Sequence, residues 1–384
     1  MNREEQLLIT LVGGVISGNG NFIRNIKISD TAEFEKMWDL SAKHSLSAIV
    51  ASGVVENDSA SSDIKSFFKS QIYRYVLLSE RQDHELAKMC RAFNDEKIPH
   101  IPLKGSVVKH KYPQSWQRTS CDIDILIKEK DIDKATSVLC SVLGYTHEYN
   151  TLHDISFKSE GGVHIELHYK LVEDNRLNTD ILNDVWDYTV RENEDTYTYT
   201  MTDDMFYFYH IAHMAKHFKS NGFGIRHLVD TWILNGIDCD KAKRNQLLTK
   251  GNLQKFENKM LRVCSVLFGN EASDEETDVL IDYLFNSGTY GTTYNHIARN
   301  KMHEKKSTFS YILSRVFMPI DTLAVLYPAV ADKKYLYPYY TVKRWIKILL
   351  YPNKKAVVSE LDSNKSLSKK NMTIFKKVYN DMEL

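Results

Sequence analysis

The chain has 384 residues, 43% of them hydrophobic and 26% charged, with fifty Lys and Arg balanced by fifty Asp and Glu. That composition excludes wholesale disorder, and the length predicts about two or three domains. A whole-surface nucleic-acid binder carries a basic excess that this chain lacks, so no sequence-specific nucleic acid is expected as a partner.

The N-terminus opens on Met1-Asn2-Arg3-Glu4-Glu5-Gln6, where two acids outweigh one base, unlike a secretory leader. The apolar stretch from Leu7 to Ile16 is too short to span a bilayer. None of the five cysteines forms a C-x-x-C pair, and a reduced, cytoplasmic location is expected. Amphipathic stretches at 3–17 and 31–55 read as helices. Ser62 to Asn94 keeps apolar residues three and four apart without a Gly or Pro, so it reads as a long helix.

The pattern changes at Ile98. Ile98 to Leu103 reads as a strand, followed by Lys104-Gly105-Ser106 and a short helix. Cys121 to Ile127 alternates strictly and is β-branched, which predicts a strand; Asp131 to Leu143 predicts a helix stopped by Gly144. Strands are expected at about 154–158 and 163–171, joined through Gly161-Gly162. From about Thr202 the helical period returns. The expected class is α+β: a helical region over 1–97, a small mixed-sheet core over 98–200, and a helical domain over 201–384 ending in a basic tail.

Asp122-Ile123-Asp124 is the most informative triplet. On a strand, both carboxylates share one face while Cys121, Ile123, Ile125 and Ile127 take the other. Adjacent like charges repel, and a divalent cation with oxygen ligands resolves the conflict; a solvated pair on a half-exposed strand is the alternative. Val163 to His168 alternates too, placing His164, Glu166 and His168 on one face, so Glu166 can supply a third carboxylate. Upstream, Gly105 and Ser106 open a helix where backbone N–H groups can meet phosphate. Phosphate loop, paired carboxylates and a third acid together predict a two-metal phosphoryl-transfer site.

An apolar residue, Gly-Ser, a spacer and then the run Asp122-Ile-Asp-Ile resembles the DNA-polymerase-β-like nucleotidyltransferase superfamily. More closely, PLKGSVVKHKYP, RTSCDIDILI, LGY and HIELHYKL are similar to the bacterial uncharacterised nucleotidyltransferase family. His210-x-x-His213, Gly224 to Asp230, Gly288-Thr289-Tyr290-Gly291 and the Tyr/Pro-rich 319–352 stretch extend the likeness over about residues 30–350. The spacer of 16 positions from Ser106 to Asp122 is long for the superfamily. The resemblance implies that Gly105 and Ser106 hold a triphosphate, that Asp122 and Asp124 bind Mg²⁺ (or Mn²⁺), and that Glu166 completes the metal site or acts as base. It implies a nucleotide-side role for His168, and Lys104 and Arg118 as phosphate or transition-state cations, unless these are solvated surface groups. Arg226 and Asp230 either line the cleft or form an i,i+4 ion pair.

His210, His213 and His217 share one helix face. Without an H-E-x-x-H pattern, a place in the nucleotide cleft or the core is expected ahead of zinc. Neither Gly18-Asn-Gly20 nor Gly222-Phe-Gly224 completes a dinucleotide fingerprint.

The predicted activity is Mg²⁺-dependent transfer of a nucleoside monophosphate from an NTP to an acceptor hydroxyl on a small molecule, glycan precursor or protein. A non-catalytic nucleotide-binding or assembly protein on the same fold and a D-x-D glycosyltransferase are the alternatives. Residues 301–384 hold sixteen basic and seven acidic side chains, so neutrality conceals a basic tail. The 341–377 stretch either touches an anionic membrane or acceptor, or packs on the core with solvated lysines.

Overall fold

The computed structural model of the chain describes residues 1–28, 31–171, 179–220, 222–288, 320, 323, 327, 329–350 and 369–384. Two compact units result: Met1–Tyr290 with Val378–Leu384, and Gly291–Lys377. The divisions expected at residues 97 and 200 both fall inside the first.

That unit opens with helices α1 (Arg3–Ile16), α2 (Gly20–Arg24), α3 (Thr31–Lys43) and α4 (Ser47–Glu56), then the long α5 (Ser62–Asp95). A capping box at Asn2 and Glu5 starts α1, satisfying two otherwise orphaned backbone donors. Ser61 caps α5. Its Met89 and Phe93 lie against the sheet.

The sheet holds β1 (His100–Pro102), β2 (Asp122–Ile127), β3 (Thr146–Asn150), β4 (Asp154–Lys158) and β5 (His164–His168), in the order β1-β2-β5-β4-β3. β2 and β5 run parallel and the other pairs are antiparallel, so the sheet is mixed. The fold is therefore α+β with a small mixed sheet among helices, as expected. One face of the sheet carries Ile123, Ile125, Ile127, Phe157, Ile165 and Leu167, all buried in a core completed by α5 and by Ala135, Val138 and Leu139.

Several boundaries differ from those read in the sequence. β1 is shorter than Ile98–Leu103 because Pro99 and Pro102 cannot donate to a ladder, which confines it to the sheet edge. The helix expected over 131–143 is a 3₁₀ turn, Glu129–Asp131, then α6 (Ile132–Ser137) and a π turn, Val138–Val142. β5 ends at His168 because the next two amides, Tyr169 and Lys170, both turn to the His153 carbonyl. β3 was not expected: its five residues are all exposed, so no apolar alternation marks it, and pairing with β4 makes it a strand. A hairpin of β6 (Thr189–Arg191) and β7 (Tyr199–Met201) is likewise too short to leave a periodic signal.

Helices α7 (Asp203–Ser220), α8 (Ile225–Asn235), α9 (Lys241–Lys250), α10 (Gln254–Phe268) and α11 (Glu275–Ser287) follow. The α7 helix is buried on most of its circumference, with Asp203 and Asp204 opposing the positive end of its dipole. At the start of α8, a Cβ on Gly224 would lie 2.8 Å from the Gly288 carbonyl carbon and oxygen and from His44 Nδ1. Two of those three atoms are backbone and cannot swing away. Gly224→Ala is therefore expected to destabilise the protein by about 1–3 kcal/mol, read as a lower urea midpoint at unchanged slope.

The second unit contains α12 (Ala329–Asp332) and α13 (Tyr337–Leu350); α14 (Lys369–Asp381) runs to the C-terminal residues of the first. Of the basic stretch 341–377, residues 351–368 lie outside the described residues, as do 289–291 of the Gly288–Gly291 motif and much of 319–352. No described helix is long and apolar enough to cross a membrane.

Candidate active site

The polar face of β2 and β5 forms one wall of a cavity of about 310 Å³, whose other lining comes from the 104–121 segment, His153 and Asp154 at the start of β4, α7 and α8. Register explains the wall: Asp124 pairs with Glu166 across the parallel strands and Leu126 with His168, so alternate residues of both strands face the same way. Asp122, Asp124, Glu166 and His168 all line the cavity. His164 shares the face, but its Nε2 contacts Ser156 Oγ at 2.8 Å and Glu148 at 3.1 Å, on the far side from Asp124.

Asp124 is 2% exposed and is the most heavily bonded carboxylate of the group. Its Oδ1 accepts from Lys104 Nζ at 2.7 Å and His168 Nε2 at 2.8 Å. Burial opposes its charge, but Lys104 and His168 override that and hold the carboxyl well below the usual range. Lys104 also lies 3.8 Å from Glu166 Oε2. Asp122 differs: burial, then the charge of Asp124, push its carboxyl above the ordinary value, although Ser120 Oγ donates to it at 2.9 Å. This corner holds more negative charge than Lys104 neutralises.

Asp124, Glu166 and His168 each offer a ligand atom within 4.8 Å of the others. Asp122, of the expected metal set, stands beside this group. An acid-rich wall with an upshifted carboxyl suits a divalent cation.

The Lys104-Gly105-Ser106 turn approaches the carboxylates closely. Lys104 holds φ +45° and ψ −123°, a left-handed conformation unfavourable for a side-chain-bearing residue. A Cβ on Gly105 would meet Ser120 Oγ at 2.9 Å, Ser120 Cβ at 3.1 Å and Arg118 Nη1 at 3.3 Å, so a side chain there would displace Ser120 and crowd Arg118. Gly105 lines the cavity; Ser106 is not among the lining residues, and its amide donates to the Leu103 carbonyl at 3.2 Å.

The long spacer between Ser106 and Asp122 is ordered by ties to other elements. It makes short turns at Lys109–Lys111 and Ser115–Gln117. Gln117 Nε2 donates to Ser52 Oγ at 2.9 Å, and Gln82 Nε2 to the Ser120 carbonyl at 3.0 Å. The strongest tie reaches α8. Arg118 donates from Nε to both oxygens of Asp230, at 3.0 and 3.2 Å, and from Nη2 to Oδ2 at 2.9 Å, while Tyr112 Oη donates to Oδ1 at 2.6 Å. Asp230 thus pairs with Arg118 across the fold, and the i,i+4 ion pair with Arg226 offered as one reading is not what binds it. Arg226 lines the cavity and reaches the Thr119 carbonyl at 3.4 Å.

Several cavity residues carried no sequence signal of their own. Tyr209 and Lys216 share the α7 face that carries His213, recoverable only once that helix is known to face the sheet. Asp154 adds a fourth carboxylate because β4 starts opposite His168. Of the three α7 histidines, His210 is bonded to Thr231 Oγ1 at 2.9 Å, whereas His213 and His217 meet each other at 2.9 Å.

With this geometry established, comparison with known proteins adds one finding: the model of a family described as uncharacterised nucleotidyltransferase matches residues 30–269. That span includes every residue placed in the cavity. No curated protein matches the chain.

Proposed function

Because this chain belongs to the uncharacterised nucleotidyltransferase family, we propose that it transfers the nucleoside monophosphate of an NTP to an acceptor hydroxyl and releases pyrophosphate. The observation that carries this reading is the pairing of Asp124 with Glu166 across adjacent parallel strands, with Asp122 beside them and Lys104 Nζ bridging the two at 2.7 and 3.8 Å. Asp122, Asp124 and Glu166 would hold Mg²⁺, which when bound draws charge from the α-phosphoryl oxygens and the departing pyrophosphate.

The side chains have separable tasks. Glu166, partly open to the cavity, accepts the proton of the acceptor hydroxyl as its oxygen attacks the α-phosphorus. The bond from that phosphorus to the bridging oxygen of the β-phosphate breaks, and pyrophosphate carries away the electron pair. Lys104, Lys216 and Arg226 line the cavity as cations suited to a triphosphate. His168, hydrogen-bonded to Asp124 at 2.8 Å, fixes the carboxylate that Lys104 neutralises. Arg118, already committed to Asp230, positions the spacer.

The test is pyrophosphate release from each NTP with Mg²⁺ and a cell extract as acceptor source. Release that Asp122→Asn abolishes without lowering the melting temperature supports the reading. An Asp122→Asn protein with full release contradicts it.

Burial, reinforced by the charge of Lys104, lowers Lys216 to about 8. Lys216 is therefore protonated below that pH and neutral above it. Its attraction for the triphosphate is lost as pH rises, so the KM for NTP is expected to climb several-fold from pH 7 to 9. Lys216→Gln should show a high KM that is flat over the same range.

A further inference from the structure

The cavity contains a second group of metal-ligating side chains, chemically unlike the first. His213 and His217 are four residues apart on α7, and His227 sits in the first turn of α8. Each offers a ring nitrogen within 4.8 Å of the other two. His213 Nε2 and His217 Nε2 are 2.9 Å apart. Nitrogens bound to one tetrahedral Zn²⁺ at its usual bond length stand about 3.4 Å apart, so small ring rotations suffice.

We propose that His213, His217 and His227 form a site for a borderline divalent cation of the Zn²⁺ class, distinct from the carboxylate site. Three observations support it. The two ring nitrogens already converge to 2.9 Å, close enough for one metal ion to bind both. His227 is 7% exposed, and its Nδ1 is buried without a hydrogen-bond partner among the described residues, a defect folded proteins rarely leave unmet. The rings are also held in place: His227 packs against Phe223 at 5.3 Å between centroids and His213 against Tyr209 at 6.2 Å.

The donor set selects the ion. Three neutral imidazoles suit Zn²⁺, Co²⁺ or Ni²⁺ and are poor ligands for Mg²⁺, which prefers the oxygens on the opposite wall. Neighbouring Lys216 and Arg226 repel a dication, but the cavity lining as a whole holds five carboxylates against four Lys and Arg. Three protein ligands leave a fourth position, and all three histidines line the cavity, so that position opens toward bound substrate. An anionic oxygen of phosphate or acceptor is the ligand it would take.

The site stands independently of nucleotidyl transfer, and Zn²⁺ alone tests it. Full-length protein is titrated in competition with a chromophoric chelator, and the visible spectrum of the Co²⁺ form is recorded. One Zn²⁺ per chain is expected, with a tetrahedral Co²⁺ band and no thiolate charge-transfer band. His217→Gln should weaken Zn²⁺ binding about tenfold or more without lowering the metal-free melting temperature, while Asp122→Asn, which removes a charge of the lining and no ligand, weakens it far less. Failure of the wild type to bind Zn²⁺, a thiolate-type spectrum, or equal affinity in His217→Gln would overturn the proposal. The Co²⁺ spectrum needs no variant, so it decides the matter even if a substitution disturbs folding.

Discussion

Asp230→Ala is expected to lower the stability of the protein by about 3–5 kcal/mol, because it strands the Arg118 guanidinium in a buried position. Arg118 and Asp230 side chains are 8% and 2% exposed and joined by three hydrogen bonds. Burial opposes the charge on each, yet each is held in its ionised form by the other: Asp230 lies below the usual carboxylate range and Arg118 above the usual arginine value. Removing one partner leaves the full desolvation cost of the other, and Tyr112 loses its acceptor as well. The double change Arg118→Met with Asp230→Leu removes both charges and is expected to be milder than Asp230→Ala alone. Urea unfolding of the three proteins measures this; a double variant no more stable than the single one would contradict it.

Asp124→Asn is expected to reduce transfer by about a thousandfold, corresponding to about 4 kcal/mol of lost transition-state stabilisation, with the fold retained. The amide keeps the shape, and its oxygen can still accept from both Lys104 and His168. It cannot neutralise Lys104 or attract a divalent cation. Pyrophosphate release under saturating NTP measures the loss, which should fall mainly on kcat. The same substitution has a pH signature in stability. Burial opposes protonation of His168, but hydrogen bonds to Asp124 and Glu166, together with the charge of Asp124, outweigh it and raise the pKa above 6.5. The pair's contribution is therefore fully present below that ordinary value and lost as pH rises through the raised one. The stability gap between wild type and Asp124→Asn should narrow over the same interval.

What was readable in the residues follows from how local each feature is. Alternation in Cys121–Ile127 and Val163–His168 placed Asp122, Asp124, Glu166 and His168 on one face because a strand's period is a backbone property. Their convergence then required only that β2 and β5 be neighbours, which their register confirms. The long α5 was equally plain, with its period unbroken by Gly or Pro. The residues that escaped are those whose role depends on tertiary approach. His227 joins His213 and His217 only because α8 crosses α7 at the cavity, and spacing along one helix suggested His210 in its place. Asp230 meets Arg118, 112 positions away, and no i,i+4 rule reaches that far. The exposed, polar β3 is a strand only by virtue of its partner.

The position of the label transferred from a labelled NTP tests the central claim most directly. The protein is incubated with Mg²⁺, a cell extract, and NTP labelled at either the α- or the γ-phosphate. The acid wall of β2 and β5 as a nucleotidyl-transfer site predicts that the α-label becomes attached to an acceptor while the γ-label leaves as pyrophosphate, and that Asp122→Asn abolishes both. Attachment of the γ-label instead, or α-labelling that Asp122→Asn leaves intact, would contradict it.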